Sequence, residues 1–321
     1  GLSMIGLRSA TAISVSISQM FASKFNDDKK ALAFSDNVQD AAHRAGFFNS
    51  RTWRFGLRSS IQRYAQSGGD GQTFDEFTHG FMRYWRDALS TEEYVSRFIA
   101  PNMTWMKAYE DMTSSGHFGS GKLESKLISD IDKRLGYELM LEYGVAGRIG
   151  RTLEKCGCST LCFDTDDIAE IASAVKERAV NELSALSGTS ILAFERMVLG
   201  FLNLMRMNGA FSDPAFDEFT SNDGKVWELS NDRHSWLPGL QSGRNTPRFI
   251  CENTGGSRLL SFDTVSSPKY VNWIESCVDE FFIGRDVFSA ISGYTFTELT
   301  KHGYITAMPA GNGYSVWGLN K

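Results

Sequence analysis

The sequence predicts a mainly α-helical protein with a small α/β element near its start and a winged-helix-like tail. Three observations support this fold class. A short apolar run, a polar turn and a helix-like segment follow one another over residues 30–46, and helical periodicity dominates residues 51–209. A helical stretch followed by two strand-like runs closes the chain. We therefore expect three segments: residues 1–50, an α-helical insertion over residues 51–210, and a mixed α/β region over residues 211–321.

Composition limits the class of protein. The chain has 321 residues, 42% of them hydrophobic and 22% charged, which is enough to bury a sizeable core. Its formal net charge is −5, so any contact with nucleic acid must come from a local basic patch. Five cysteines, an odd number, favour reduced thiols and a cytoplasmic location. Since no window approaches ~18 consecutive apolar residues, we expect no membrane partner.

The first residues favour an internal piece of a longer protein. The run Gly1-Leu2-Ser3-Met4-Ile5 has no positively charged region and leads directly into a helix-like segment over residues 9–22. Such a beginning is typical of a cut inside a larger chain or of a tag remnant.

Residues 30–46 predict one half of an α/β unit. Lys30 to Phe34 predicts a short buried strand that stops at Ser35 and Asp36, and residues 37–46 predict a helix for which Asp36 is a candidate N-cap. A strand ending in Ser-Asp places hydroxyl and N–H groups at the sheet edge where open α/β folds bind ligands. The N-terminus of the helix that follows favours phosphate.

The run Lys30-Ala31-Leu32-Ala33-Phe34-Ser35-Asp36-Asn37-Val38-Gln39-Asp40-Ala41-Ala42 resembles motif IV of superfamily 2 helicases. It is most similar to large bacterial DEAD/DEAH-box helicases that carry a C-terminal zinc-binding module, and the resemblance covers residues 4–62. It implies the edge of a second RecA-like domain, with a helical bundle inserted after the strand-turn-helix. ATP and magnesium are implied for the parent protein, and no cofactor for this fragment.

The same resemblance implies a nucleic-acid contact. In the helicases this sheet edge faces the nucleic-acid backbone, so Ser35, Asp36 and Gln39 are implied to bind nucleic acid, DNA rather than RNA. The implied partners also include the remaining motor domains of the parent chain. Related proteins often have an arginine before the glutamine, where this chain has Val38, so the role of that arginine is not carried over.

The middle of the chain predicts a succession of helices. They are expected at residues 74–89, 91–99, 123–144, 166–186 and 191–207, with loops at residues 67–71 and 114–121. The last of these helices is apolar on most faces, which predicts a place at the centre of its bundle.

An arginine stripe lies on the first helical stretch. Residues 41–69 contain five arginines and no carboxylate, and Arg51, Arg54, Arg58 and Gln62 share one helical stripe. The neighbouring stripe is apolar and consists of Trp53, Leu57, Ile61 and Tyr64. Two interpretations stay open at this point: the arginines contact phosphates, or they form salt bridges with acidic neighbours in the fold.

The last third predicts short strands and a hairpin. Strand-like runs occur at residues 225–229, 248–251 and 258–262, and residues 270–282 predict a helix. From residue 286 we expect one helix, a second over residues 295–302, and strands at residues 305–308 and 314–317. The connection Pro309-Ala310-Gly311-Asn312-Gly313 tolerates the positive φ that a hairpin loop demands. The hairpin has few basic residues, so a packing module is at least as good an interpretation as a DNA-binding wing.

Three further motifs are weak. Residues 116–122 have the spacing of a phosphate-binding loop, but Leu123 stands where magnesium needs Ser or Thr and no strand precedes them. Residues 147–151 contain two arginines, like motif VI, and a helix C-terminus is the favoured interpretation. Cys156, Cys158 and Cys162 are too irregularly spaced for structural zinc, even with Cys251 or Cys277 as a fourth ligand, so we expect no metal and ordinary buried thiols.

The favoured function is therefore a nucleic-acid-guiding internal segment of an ATP-dependent helicase. The alternative is a protein-interaction module of a bacterial defence or repair complex that makes no nucleic-acid contact. A self-contained nucleotide-binding enzyme is disfavoured because no complete ATPase site is present.

The chain is predicted not to hydrolyse ATP on its own. Phosphoryl transfer requires a lysine-bearing loop together with an acidic magnesium ligand, and the sequence supplies neither in the required context. The measurement is phosphate release with magnesium and ATP. Turnover that disappears in Lys122→Ala would contradict the prediction.

Overall fold

The computed structural model describes residues 38–144, 152–224, 247–251, 263–264, 285–313 and 315–320, together with Ser16 and Met20. The described chain is mainly helical, as predicted. It divides into two compact units, Gly1–Gln72 with His79–Leu135, and Thr73–Thr78 with Gly136–Lys321. The three predicted segments stay a prediction. Four predicted elements lie outside the described residues: the strand at residues 30–34, the runs at 225–229 and 258–262, and the helix at 270–282.

The first unit is built from helices. They are α1 Val38–Tyr64, the part of α2 Phe74–Ala88 from His79 on, α3 Thr91–Phe98, α4 Lys107–Ser115 and the first part of α5 Lys122–Tyr143. A π-helical turn, Ala65–Gly69, follows α1, and a 3-10 turn, Pro101–Met103, follows α3. The side chains at the centre of this unit are almost fully buried: Ile61, Phe81, Tyr94, Val95, Phe98, Met103, Leu127 and Ile131.

Helix α1 is longer than predicted. The expected end at Gly46 is wrong, since the helix continues without interruption to Tyr64. A glycine inside a helix costs only about 1 kcal/mol, which burial of the apolar stripe beyond it readily offsets. The π-helical turn that follows it contains Gly68, which takes a φ of 134° inside the predicted loop. This conformation is open to glycine and strained for other residues.

Local capping explains where α3 begins. The Ser90 side chain accepts the backbone N–H of Glu93, and the Glu93 carboxylate accepts the N–H of Ser90, which is a complete capping box. Helix α4 was not predicted as an element. It ends at Gly116, whose positive φ of 73° lets its N–H bond to the carbonyl of Met112.

The second unit contains helices and a small sheet. Its helices are the end of α5, α6 Thr165–Glu182, α7 Ile191–Met207, the short α8 Asp217–Ser221 and α9 Arg285–Lys301. Helix α6 packs against both α7 and α9. Burial confirms that α7 is central, because Phe194, Met197, Val198 and Phe201 are fully inaccessible. Single 3-10 turns occur at Ser184–Leu186 and Pro214–Phe216.

Among the residues that the structure describes, the sheet has four strands in the order β2-β1-β4-β3. They are β1 Ile250–Cys251, β2 Asp263–Thr264, β3 Ile305–Pro309 and β4 Ser315–Leu319. Strands β3 and β4 form the predicted antiparallel hairpin, with Ile305 opposite Leu319. Strand β4 also pairs with β1, which pairs in parallel with β2. The hairpin is therefore part of a larger sheet.

Two details of the predicted tail are wrong. The two helices expected after residue 286 are a single helix, α9, because the Thr295 and Thr297 hydroxyls bond to carbonyls one turn earlier and so do not interrupt it. The alternation of Ile305 and Ala307 with Thr306 and Met308 also predicts that Ile305 and Ala307 share one docked face, and for Ala307 this is wrong. Ile305 and Met308 are buried and Ala307 is exposed, so both faces of β3 are partly covered.

Arg206 ties together the end of α7, the end of α5 and the turn after residue 152. Arg206 is only 5% exposed. It makes two bonds of 2.9 Å to the Glu154 carboxylate and donates to the carbonyl of Tyr143 at 2.8 Å. The hydrogen bonds from Arg206 hold the pKa of Glu154 below its usual range. A buried guanidinium is tolerated only with such compensation.

Replacing Trp317 with alanine is predicted to destabilise the second unit by about 3 kcal/mol. Its ring stacks on Phe296 of α9 at a centroid distance of 5.6 Å and an interplanar angle of 9°, as expected of a large ring near a sheet edge. The measurement is urea unfolding followed by circular dichroism. The matched control is Trp105→Ala, since Trp105 is 64% exposed and should change stability by less than about 0.5 kcal/mol. Equal losses of stability in the two variants would contradict a stabilising role for the stacking of Trp317 on Phe296.

Candidate nucleic-acid interface

Helix α1 buries its apolar stripe within the first unit. Leu57, Ile61 and Tyr64 are 5%, 0% and 7% exposed. Trp53 is half-buried, and its indole N–H donates to the carbonyl of Phe98 at 3.3 Å. The guanidinium of Arg134 lies over the same indole, 5.2 Å from the ring centroid. These contacts fix the rotation of α1 about its axis, and with it the direction in which the arginine stripe points.

The arginine stripe lies beside the buried one. Arg54 is exposed and Arg58 is half-buried, one helical turn apart. Gln39 and Arg51 also lie on α1, but their side chains are outside the described part, as are Ser35 and Asp36 entirely. Of the predicted site residues, the structure therefore brings Arg54 and Arg58 onto one face and places Gln39 and Arg51 on the same helix.

An exposed aromatic ring accompanies these arginines. Phe55 is 47% exposed although it is a large apolar side chain. It is three residues before Arg58 and four after Arg51, so it is a surface neighbour of both positions. Aromatic rings next to cationic side chains are a common way to hold a nucleic-acid strand, because every base can stack on a ring. Sequence periodicity did not single out Phe55.

A second group of arginines surrounds Trp85. The guanidinium carbon of Arg97, on α3, is 4.4 Å from the centroid of the Trp85 ring, and that of Arg63, on α1, is 5.6 Å from it. Arg97 Nε donates to Ser60 Oγ at 3.1 Å. Burial and the nearby charge of Arg63 lower the pKa of Arg97. Sequence patterns did not indicate this cluster, because its members come from three helices.

The loop at residues 116–121 is not built to bind phosphate. It joins α4 to α5, with no strand before it. The Glu124 carboxylate lies over the loop so closely that a Cβ placed on Gly119 or Gly121 would meet its oxygens at 2.8 and 2.7 Å. The buried Phe118 donates its backbone N–H to Glu92 at 3.1 Å, which lowers the pKa of that carboxyl. Carboxylates therefore occupy the surroundings that a phosphate would need.

The cysteines differ from the prediction. Cys156, Cys158 and Cys162 are exposed, so the expectation of buried thiols is wrong for these three, while Cys251 is buried. They lie in a polar turn and the segment that leads to α6, where no apolar layer covers them. No group of His, Cys, Asp and Glu suited to a metal ion occurs among the residues that the structure describes. Cys277 and residues 147–151 lie outside them.

No helix in the described part of the chain is long and apolar enough to cross a membrane. No protein-family model, curated protein or solved structure matches this chain. The helicase resemblance therefore rests on the quoted residues, and the arginine arrangement rests on the structure.

Titration of Tyr84 tests the geometry beside Trp85. The Ser67 hydroxyl, 3.4 Å from that of Tyr84, and the Arg63 guanidinium both lower the pKa of Tyr84. We predict that Ser67→Ala and Arg63→Gln each raise this pKa toward the usual value of about 10, because each removes a stabiliser of the phenolate. Tyrosine-labelled NMR against pH is the measurement.

Tyr94 serves as the internal control for that titration, since burial raises its pKa to about 12. The Tyr94 titration should be unaffected by Ser67→Ala. A Tyr84 pKa that is the same in the parent chain and in both variants would show that neither group reaches the phenol.

Proposed function

We propose that this chain is an internal, nucleic-acid-contacting segment of an ATP-dependent superfamily 2 helicase, and that Arg54 and Arg58 on α1 contact the phosphate backbone. In this proposal the parent protein binds ATP and magnesium through its remaining motor domains. The chain then guides the strand and hydrolyses nothing itself. DNA is the favoured nucleic acid.

The continuity of α1 is the observation that carries the proposal. One uninterrupted helix of 27 residues runs from Val38 to Tyr64. It includes Gln39-Asp40-Ala41, which resemble the helicase motif, and further along it includes Arg54 and Arg58. At 1.5 Å per residue the helix is about 40 Å long. A nucleic-acid contact near the beginning of the helix and one made by the arginines would therefore stay at a fixed distance from each other.

The burial of α1 supports an outward-facing role for the arginines. Because Leu57, Ile61 and Tyr64 face the core, rotation of the helix to hide the arginine stripe would expose this apolar surface at a cost of several kcal/mol. An exposed Arg54 beside an exposed Phe55 provides a cation for phosphate and a ring for a base. Because the net charge is −5, such contacts depend on a local basic patch of this kind.

A second candidate is a protein-interaction module. It is favoured by large apolar side chains at the surface of the first unit, since Trp105 is 64% and Leu123 is 53% exposed. Exposed patches of this kind mark binding surfaces for proteins when they are contiguous. Binding through such a surface would be insensitive to moderate salt, whereas phosphate contacts are weakened steeply by it.

The test is fluorescence anisotropy with a labelled DNA duplex of about 20 base pairs, between about 50 and 200 mM salt. With ~3–4 phosphates neutralised, the slope of log affinity against log salt should be about −3, without sequence preference. The double variant Arg54→Glu, Arg58→Glu should bind at least about tenfold more weakly and show a shallower slope.

The matched control is Arg83→Glu with Lys133→Glu. Both residues are exposed in the same unit, and the pair changes the net charge by the same amount. This variant should retain most of the affinity. Unchanged affinity in the Arg54 and Arg58 double variant would show that the stripe is structural. Absence of binding by the parent chain would favour the protein-interaction module.

A further inference from the structure

Arg63 and Arg97 approach the same ring from two helices. Trp85, on α2, is only 3% exposed. The guanidinium of Arg97 lies 4.4 Å and that of Arg63 5.6 Å from its ring centroid. Cation–π attraction to the Trp85 ring partly stabilises the positive charge of each guanidinium. Two like charges at one ring also repel each other, so the arrangement gains stability from any anion placed near both.

No carboxylate lies within ion-pair distance of Arg63 or Arg97 in the part of the chain that the structure describes. Other arginines do have such partners: Arg86 pairs with Asp132, and Arg206 with Glu154. The acidic group nearest in sequence to Arg97 is Glu93, one turn earlier on α3. Its carboxylate is used by the capping box, where it accepts the backbone N–H of Ser90 at 2.9 Å.

The cluster is rich in donors and poor in acceptors. Each guanidinium carries five N–H groups and accepts nothing. Ser60 Oγ receives one of these N–H groups, from Arg97, while it donates to the carbonyl of Gly56 at 2.8 Å. The indole N–H of Trp85 is buried and has no acceptor among the described residues. A ligand that supplies several oxygen acceptors and a negative charge matches this surplus, and a phosphate group does both.

We infer that Arg63 and Arg97, held against Trp85, form a binding site for one phosphate group, supplied by inorganic phosphate or by a phosphodiester. The site is separate from the arginine stripe. Arg63 follows Arg54 by nine residues, which at about 100° per residue places it on the opposite side of α1. The inference therefore does not depend on the proposed function.

The first arm of the test measures thermal unfolding in inorganic phosphate against chloride at equal ionic strength. Phosphate should raise the melting temperature of the parent chain by about a few degrees at concentrations well above its Kd. Arg63→Gln and Arg97→Gln should each lose this rise. Arg83→Gln is the matched control, and it should retain the full response because Arg83 is exposed in the same unit and belongs to neither group of arginines.

The second arm replaces phosphate with a short oligothymidylate whose ends carry no phosphate. If both probes raise the melting temperature and both effects require Arg97, the site binds phosphodiesters. If only inorganic phosphate raises the melting temperature, the site binds the free anion. Arg97→Lys keeps the charge and loses the two-pronged hydrogen bonding of the guanidinium. This variant should fold, and its affinity for phosphate should be at least about tenfold lower. A full phosphate response in the Arg63→Gln, Arg97→Gln double variant, or no response in the parent chain, would overturn the inference.

Discussion

Each unit of this protein holds an arginine guanidinium against its packed side chains, and the way the charge is compensated organises its surroundings. In the second unit Arg206 is neutralised by a bidentate carboxylate, Glu154, and by a main-chain carbonyl at the end of α5. The result is an ion pair that connects α7, the end of α5 and the turn that carries Glu154. In the first unit Arg97 is partly withdrawn from water against an indole ring, with another cation nearby and no carboxylate within reach in the described chain. A guanidinium without a counter-charge retains its attraction for anions, so the same constraint leads to an ion pair in one unit and to the proposed anion site in the other.

The sequence predicted most helices of the described chain because their ends are determined locally. The predicted and observed bounds of α7 coincide, Ile191–Met207, since the Ser190 side chain caps its first turn. The hairpin was predictable because its connection contains Gly311 and Gly313. The length of α1 and the unbroken α9 were missed for the opposite reason. Gly46 and the threonines of α9 are poor helix formers by themselves, and packing decided their conformation. The pairing of β1 with β4 joins residues more than sixty positions apart, which local patterns do not encode.

The candidate site shows the same division between local and long-range information. Arg54 and Arg58 were found because helical periodicity relates residues on one helix. The sequence also correctly separated them from the apolar stripe that α1 buries. Arg97 was missed because its relation to Arg63 and Trp85 arises only when three helices pack. Burial was misjudged for Cys156, Cys158 and Cys162, since cysteine is usually a core residue and nothing in the spacing revealed an uncovered turn.

The pairing of β4 has a consequence for biogenesis. The backbone of Leu319 exchanges two short hydrogen bonds with Ala210 and Ser212, just after α7. Over a hundred residues separate the two sides of this ladder. A ribosome adding about 5–20 residues per second would need several seconds or more between making them. During that interval Ala210 and Ser212 lack the backbone partner that Leu319 provides, and an unpaired backbone edge is a template for association with other chains. Nascent chains of this protein should therefore depend on chaperones most strongly between the completion of α7 and the emergence of β4.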